Sequence, residues 1–234
     1  MKHSHFPRVD RLTPGLLALL SVMSQSFAAT DIPTGTLNVD RTLVRIGSRS
    51  QLDWKIQYPG GIDDLVTVTS SGTIIPKSAL TMRVRTLGVA FQSGQTLLPL
   101  EGSWSNNNGS FTRFFYGTGP TVDPTKVLVE TPVNPNDRID FGGRGWSGSS
   151  WYPFHHTRVS DPYVVVLKNG DTAPNYVPAY NQGTVKSFLA PYIDGSGRIR
   201  IGDNNLIILW EASTAAPGST YFDMQDLVVL VSFE

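Results

Sequence analysis

No cysteine occurs in the 234 residues, so no disulfide staples the fold and an exported chain of this size must be held by its own apolar core. That excludes a small toxin-like scaffold. Charge is sparse too: Asp, Glu, Lys and Arg make up 16% of the chain and balance at 19 basic against 19 acidic residues. Near-neutrality gives no electrostatic footprint for nucleic acid or an anionic membrane. No apolar run reaches the roughly 20 residues of a bilayer-spanning helix. No fixed repeat period marks a propeller or solenoid.

What is present begins with a leader. Lys2, Arg8 and Arg11 precede the apolar run Leu16-Leu17-Ala18-Leu19-Leu20, and Ser26-Phe27-Ala28 places small residues where a signal peptidase reads. The order predicts cleavage after Ala28 and a product that is secreted, periplasmic or on the cell surface. The remainder divides into N-terminal strands over 29–75, the first layer of a sandwich or a small separate unit, and a main β domain over 76–234.

Strand patterns dominate that remainder. Leu52, Trp54, Ile56 and Tyr58 alternate with polar residues, as in a strand with one wet face. Leu80–Val89 alternates likewise, with Arg83 and Arg85 turned outward. Residues 36–40, 43–46, 65–69, 127–129, 163–168 and 198–201 read as further strands, the 127–129 piece closing in a turn from Pro132 to Asn136. Asn108-Gly109 marks a tight primed turn between Trp104 and Phe111; Asn108-Gly109-Ser110 also matches an N-glycosylation acceptor. The segments 206–210 and 227–233 are apolar on both parities, which predicts strands covered on both faces. Only 184–190 reads as helix, capped by Thr184 and stopped by Pro191. The expected fold is all-β: an antiparallel β-sandwich, jelly-roll-like or immunoglobulin-like, with one short helix.

Catalytic signatures are scarce. His155 and His156 are adjacent, so in a strand they point to opposite faces, and no second histidine or cysteine cluster completes a transition-metal site. Gly145-Trp146-Ser147-Gly148 is one residue short of a nucleophile elbow. A carboxylate pair for glycoside hydrolysis would need Glu101, Glu130 or Glu211 to meet in space. Residues 142–156 form the least regular stretch, a glycine-rich loop carrying Trp146, Trp151 and Tyr152. These aromatics either plug the end of the sandwich or stand outward as contact area for sugar rings or a peptide. The motif-poor chain reads first as a secreted, non-catalytic structural or interaction protein, associating with itself or with an extracellular glycan or protein. The alternative is a carbohydrate-binding module using the loop aromatics; a glycoside-active enzyme ranks third.

Two local resemblances refine these expectations. The pattern from Thr36 to Gly72 resembles the opening of an immunoglobulin-like domain, where a strand carrying Leu-x-Trp packs into the sandwich, although the cysteine pair and tyrosine corner are missing. Asp223-Met224-Gln225-Asp226-Leu227-Val228-Val229 resembles an Asp-rich segment near the end of a family of secreted bacterial β-domains associated with calcium. That resemblance implies oxygen ligands from Glu211, Asp223 and Asp226 for a hard cation such as calcium, which takes six to eight of them. Read from the residues themselves, the same carboxylates cap the entry to a core strand. No other cofactor is expected.

Overall fold

The computed structural model describes residues 34–39, 52–57, 60–174 and 188–234. The leader, the 43–46 strand and most of the 184–190 helix lie outside the described residues. Two antiparallel sheets form the body of the chain. One joins β10 (Val129–Val133), β5 (Leu80–Val89), β15 (Leu227–Phe233), β14 (Asn205–Trp210) and β13 (Val164–Leu167), in that spatial order. The other joins β3 (Val66–Val68), β4 (Ile74–Pro76), β11 (Ile139–Gly145), β8 (Leu100–Asn106) and β9 (Thr112–Gly117), with β12 (His155–His156) paired to β11. Among the described residues β1 (Thr34–Val39) and β2 (Leu52–Gln57) pair only with each other, as do the short strands β6 (Gln92–Ser93) and β7 (Thr96–Leu97). The one α-helix among the described residues, α1 (Ile62–Leu65), enters β3 directly.

The doubly apolar segments lie where both of their faces are covered. β15 is the middle strand of its sheet, between β5 and β14. Its odd-numbered residues Leu227, Val229, Val231 and Phe233 join Leu206, Ile208 and Trp210 of β14 in a buried cluster that also takes Leu100, Phe115, Ile139 and Phe141 from the six-stranded sheet. The opposite parity, Val228 with Ile207 and Leu209, packs into a second cluster with Leu167, Leu189, Phe222 and Met224. An alternating strand would have exposed one of these faces; this composition fits burial of both.

Glycine does here what no other residue can, but not as loop. Residues 139–145 are a regular strand, paired to β8 along its whole length, which corrects the expectation of an irregular glycine-rich loop. A Cβ at Gly143 would lie 3.3 Å from the Leu227 side chain, and one at Gly145 would lie 2.3 Å from the Phe91 ring. The missing side chains let neighbouring apolar groups approach the backbone.

Other local expectations shift for physical reasons. The turn between β8 and β9 centres on Asn107 and Asn108, at φ 52° and 59°, with the Gly109 N–H donating to the Asn106 carbonyl at 2.9 Å; both central residues carry the positive φ that a primed turn requires. β10 runs through Pro132 instead of ending there. It is an edge strand, where a residue without an N–H is tolerated. Residues 198–201 supply isolated bridges, Arg198 to Thr172 and Ile199 to Ile193, rather than a strand, because side chains take neighbouring amides: the Arg198 N–H donates to the Asp194 carboxylate and the Ile201 N–H to the Asn169 side-chain oxygen. The described end of the 184–190 segment leads into a 3-10 turn, Ala190–Tyr192, with Pro191 inside it. Trp54 is 68% exposed and sits across from Leu37 in the β1–β2 pair, so it is not a core residue of the described structure.

Candidate functional site

The outer face of the six-stranded sheet carries a connected strip of aromatic rings and guanidinium groups. Register places it there. Glu101 of β8 lies opposite Tyr116 of β9 on one side and Arg144 of β11 on the other; one pleat further, Ser103 lies opposite Arg113 and Gly142, and Gly142 lies opposite His156. Cross-strand partners share a face, and the alternate residues Leu100, Phe115 and Phe141 are in the core.

Trp146 and Trp151 join this face through a tight turn. The Ser147 N–H donates to the Ser150 carbonyl at 2.8 Å, the Ser150 N–H donates to Ser147 Oγ at 2.9 Å, and Gly148 takes φ 96°. The two tryptophans therefore bridge each other antiparallel, their rings 5.2 Å apart at 66°. Tyr116 meets Trp151 at 6.1 Å, Arg144 lies over Trp151 at 4.4 Å and over Phe154 at 5.8 Å, Phe111 meets Phe154 at 4.9 Å, and Arg158 lies over Phe111 at 4.3 Å. Gly142 leaves room for the strip: a Cβ there would lie 2.4 Å from the Phe154 ring. Tyr116 is 52% exposed, and the two tryptophans are half-buried. The rings meet edge-to-face, so they are a ridged surface and not a coplanar platform.

Beneath the strip lie two buried carboxylates. Glu101 accepts from Arg144 Nε at 2.7 Å and from Arg113 Nη1 at 3.3 Å, its own side chain only 9% exposed. Asp140, fully buried, accepts from Thr73 Oγ1 at 2.7 Å and from Arg158 Nε at 3.1 Å. Burial of charged partners is tolerated because each is hydrogen-bonded as well as paired. The pairing fixes the arginines in place against the rings, where a cation over an aromatic face contributes about 0.5–2 kcal/mol.

Tyr152, the third loop aromatic, turns the other way. Its N–H donates to the Gly145 carbonyl at 2.9 Å, and its ring packs edge-on against Phe91 at 5.7 Å. There it lines a cleft of about 160 Å³ together with Glu211, Ser213, Tyr221, Asp223 and Asp226. The structure thus separates Tyr152 from Trp146 and Trp151, and brings together the three carboxylates of the calcium-type segment. They tie the β14–β15 connection: Glu211 accepts from the Asp223 N–H at 2.9 Å and the Ser213 N–H at 3.0 Å, and Asp226 accepts from the Ala212 N–H at 2.7 Å. Burial, reinforced by the charges of Glu211 and Asp223, pushes the Asp226 carboxyl well above the usual range, and a hydrogen bond to Glu211 adds to the effect. Asp226 accordingly holds its proton to higher pH than a free aspartate does. Among the described residues no group of three or more His, Cys, Asp or Glu side chains is disposed to hold a metal ion.

This proton has a measurable consequence. The folded state holds it more tightly than the unfolded chain, where an aspartate titrates near 3.9. Its contribution to stability is fully present below that value and is lost as pH rises through the raised folded-state value. Asp226→Asn keeps a neutral side chain at every pH. Its stability relative to the native protein should therefore increase from pH 4 toward neutrality, as read by denaturant midpoints across that range; a constant difference would contradict a raised Asp226.

The other candidate residues do not converge. Glu101 lies under the aromatic strip, Glu130 pairs with Arg83 at 3.0 Å on the edge strand β10, and Glu211 lines the cleft. His155 and His156 face opposite ways, as adjacent strand residues must. His155 stacks on Tyr163 at 4.3 Å with Nδ1 3.0 Å from Asp161, whereas His156 lies beside Phe111 and Phe154 in the strip.

Reading the chain linearly misses Tyr116, Arg144, Phe111, Phe154 and Arg158. A usable signal existed: Trp146 and Trp151 flank Ser-Gly-Ser-Ser, a hairpin-like spacing that predicts their pairing. No family model matches this chain, and no curated protein or solved structure matches it significantly.

Proposed function

We propose that the protein is an exported, non-catalytic carbohydrate-binding domain whose ligand surface is the outer face of the six-stranded sheet. The observation that carries the reading is the connected Tyr116–Trp151–Trp146 cluster with Arg144 laid over it. Sugar rings present apolar C–H faces and a rim of hydroxyls; ridged aromatic edges take the first, and fixed guanidinium groups donate to the second. The core cluster shared by both sheets supports a jelly-roll-like sandwich as the scaffold, and the leader-like N-terminus supports export. Assembly through a sheet edge is the second reading, favoured by β9, which ends its sheet and carries the exposed Tyr116.

Titrating a panel of neutral and acidic oligosaccharides while following tryptophan fluorescence tests the proposal. Trp151→Ala and Tyr116→Ala should each weaken binding by about tenfold or more, the loss typical of a central aromatic anchor, with unfolding midpoints little changed. A panel without any response would defeat the carbohydrate reading. A mass that grows with concentration in light scattering, lost in β9 edge variants, would then establish assembly.

A further inference from the structure

The charge arrangement of the strip selects among sugars. Resting on the carbohydrate reading above, we infer that this face recognises a uronic-acid unit, its ring against Trp151 and Tyr116 and its carboxylate met by Arg144 and Arg113.

The negative partners of these arginines lie underneath. Glu101 is 9% exposed at its side chain, whereas Arg144 and Arg113 are 34% and 55% exposed. One carboxylate against two guanidiniums leaves an excess positive charge, and it is the outward layer that carries it. Asp140 and Arg158 repeat the arrangement further along the strip, the carboxylate fully buried and the guanidinium 24% exposed.

The hydrogen-bond geometry points the same way. Arg144 commits Nε to Glu101 and places its guanidinium carbon over the Trp151 ring. Among the described residues its Nη1 and Nη2 groups have no protein acceptor, and Arg113 likewise commits only Nη1. A planar fork whose root is fixed and whose terminal donors have no protein acceptor suits a planar, two-oxygen acceptor better than a single hydroxyl. An arginine serving only to neutralise Glu101 would not need to be stacked on a tryptophan beside a second arginine.

Methyl esterification separates charge from sugar shape, since it removes the carboxylate charge and leaves the pyranose rings unaltered. Binding of the unmodified protein to oligogalacturonate and to oligomannuronate is compared with binding to their fully methyl-esterified forms at low and raised salt. The free acid of at least one should bind about tenfold more tightly than its ester, as a charge-assisted bidentate contact requires, and salt should narrow the gap. In Arg144→Gln the acid should fall to the affinity of the ester while ester binding persists; in Trp151→Ala both should weaken.

Equal affinity for acid and ester overturns the inference and leaves the carbohydrate reading intact. Absence of binding to all four, with a neutral oligosaccharide still bound, overturns it too; absence of binding to every sugar defeats both. Polyglutamate bound as tightly as the best oligouronate would assign the face to acidic polypeptides instead. Should Arg144→Gln fail to fold, the acid-to-ester ratio on the unmodified protein decides the matter alone.

Discussion

A chain ending at Gln225 should not fold: it should be recovered as aggregate, without a cooperative unfolding transition. The truncation removes β15, whose residues Leu227, Val228, Val229, Val231 and Phe233 are each at most 1% exposed. At about 1.5–3 kcal/mol for each large apolar side chain buried, their joint loss exceeds a typical stability of about 5–15 kcal/mol once the two ladders to β5 and β14 are lost with them. The damage is not confined to one sheet, because Leu227 also contacts the glycine-bearing strands opposite, near Gly102 and Gly143. Phe233→Ala offers a graded version, expected to cost about 3–5 kcal/mol. A soluble truncated protein that melts cooperatively would show that β15 is peripheral.

Asp140→Ala should be among the most damaging single changes in the six-stranded sheet. Asp140 draws together three parts of the chain: Thr73 ahead of β4, Thr157 after β12, and Arg158, which also reaches Ser105 and the Gly109 carbonyl. Removing the carboxylate strands a partly buried guanidinium and leaves Thr73 Oγ1 with only its weaker contact to the Thr157 carbonyl at 3.2 Å. Breaking a buried pair by deleting one partner costs about 3–5 kcal/mol, to be measured as a fall in urea midpoint at unchanged slope. A loss below about 1 kcal/mol, the range of an exposed ion pair, would mean that water reaches this pair. Since Arg158 also lies over Phe111, the variant should disturb one end of the aromatic strip as well.

How much of this was legible depended on whether a residue's role was local. Leu80–Val89 and Leu227–Phe233 were readable to the residue, because alternation and double-sided apolarity are properties of the segment itself. The glycines at 142, 143 and 145 were not: space left for Phe154, Leu227 and Phe91 looks the same in composition as freedom left for a loop. Arg-Ile-Arg-Ile at 198–201 alternates like a strand, yet the Asp194 and Asn169 side chains take the Arg198 and Ile201 N–H groups that a longer ladder would have used. At the site, two of the three loop aromatics belong to the surface strip, but Tyr152 turns inward because it is one residue out of phase with Trp151. Tyr116, Arg144 and Glu101 sit together only through the pairing of β8 with β9 and β11, which no single stretch records. The grouping of Glu211 with Asp223 and Asp226 was anticipated. The upward shift of the Asp226 carboxyl was not, since it comes from burial and mutual repulsion rather than from spacing.

The central position of β15 also shapes the route to the folded state. β5 and β14 become neighbours of the same strand only when segments separated by most of the chain, Leu80–Val89 and Leu227–Phe233, find each other. Closing so long a loop is entropically costly before any contact rewards it, which places this topology among slow, high-contact-order folders. Until that encounter, β5 and β14 each present an unpaired apolar margin able to capture a second molecule. Refolding yield should therefore fall steeply with protein concentration even where the finished protein is stable, and the risk ends at the moment the two margins close on the strand between them.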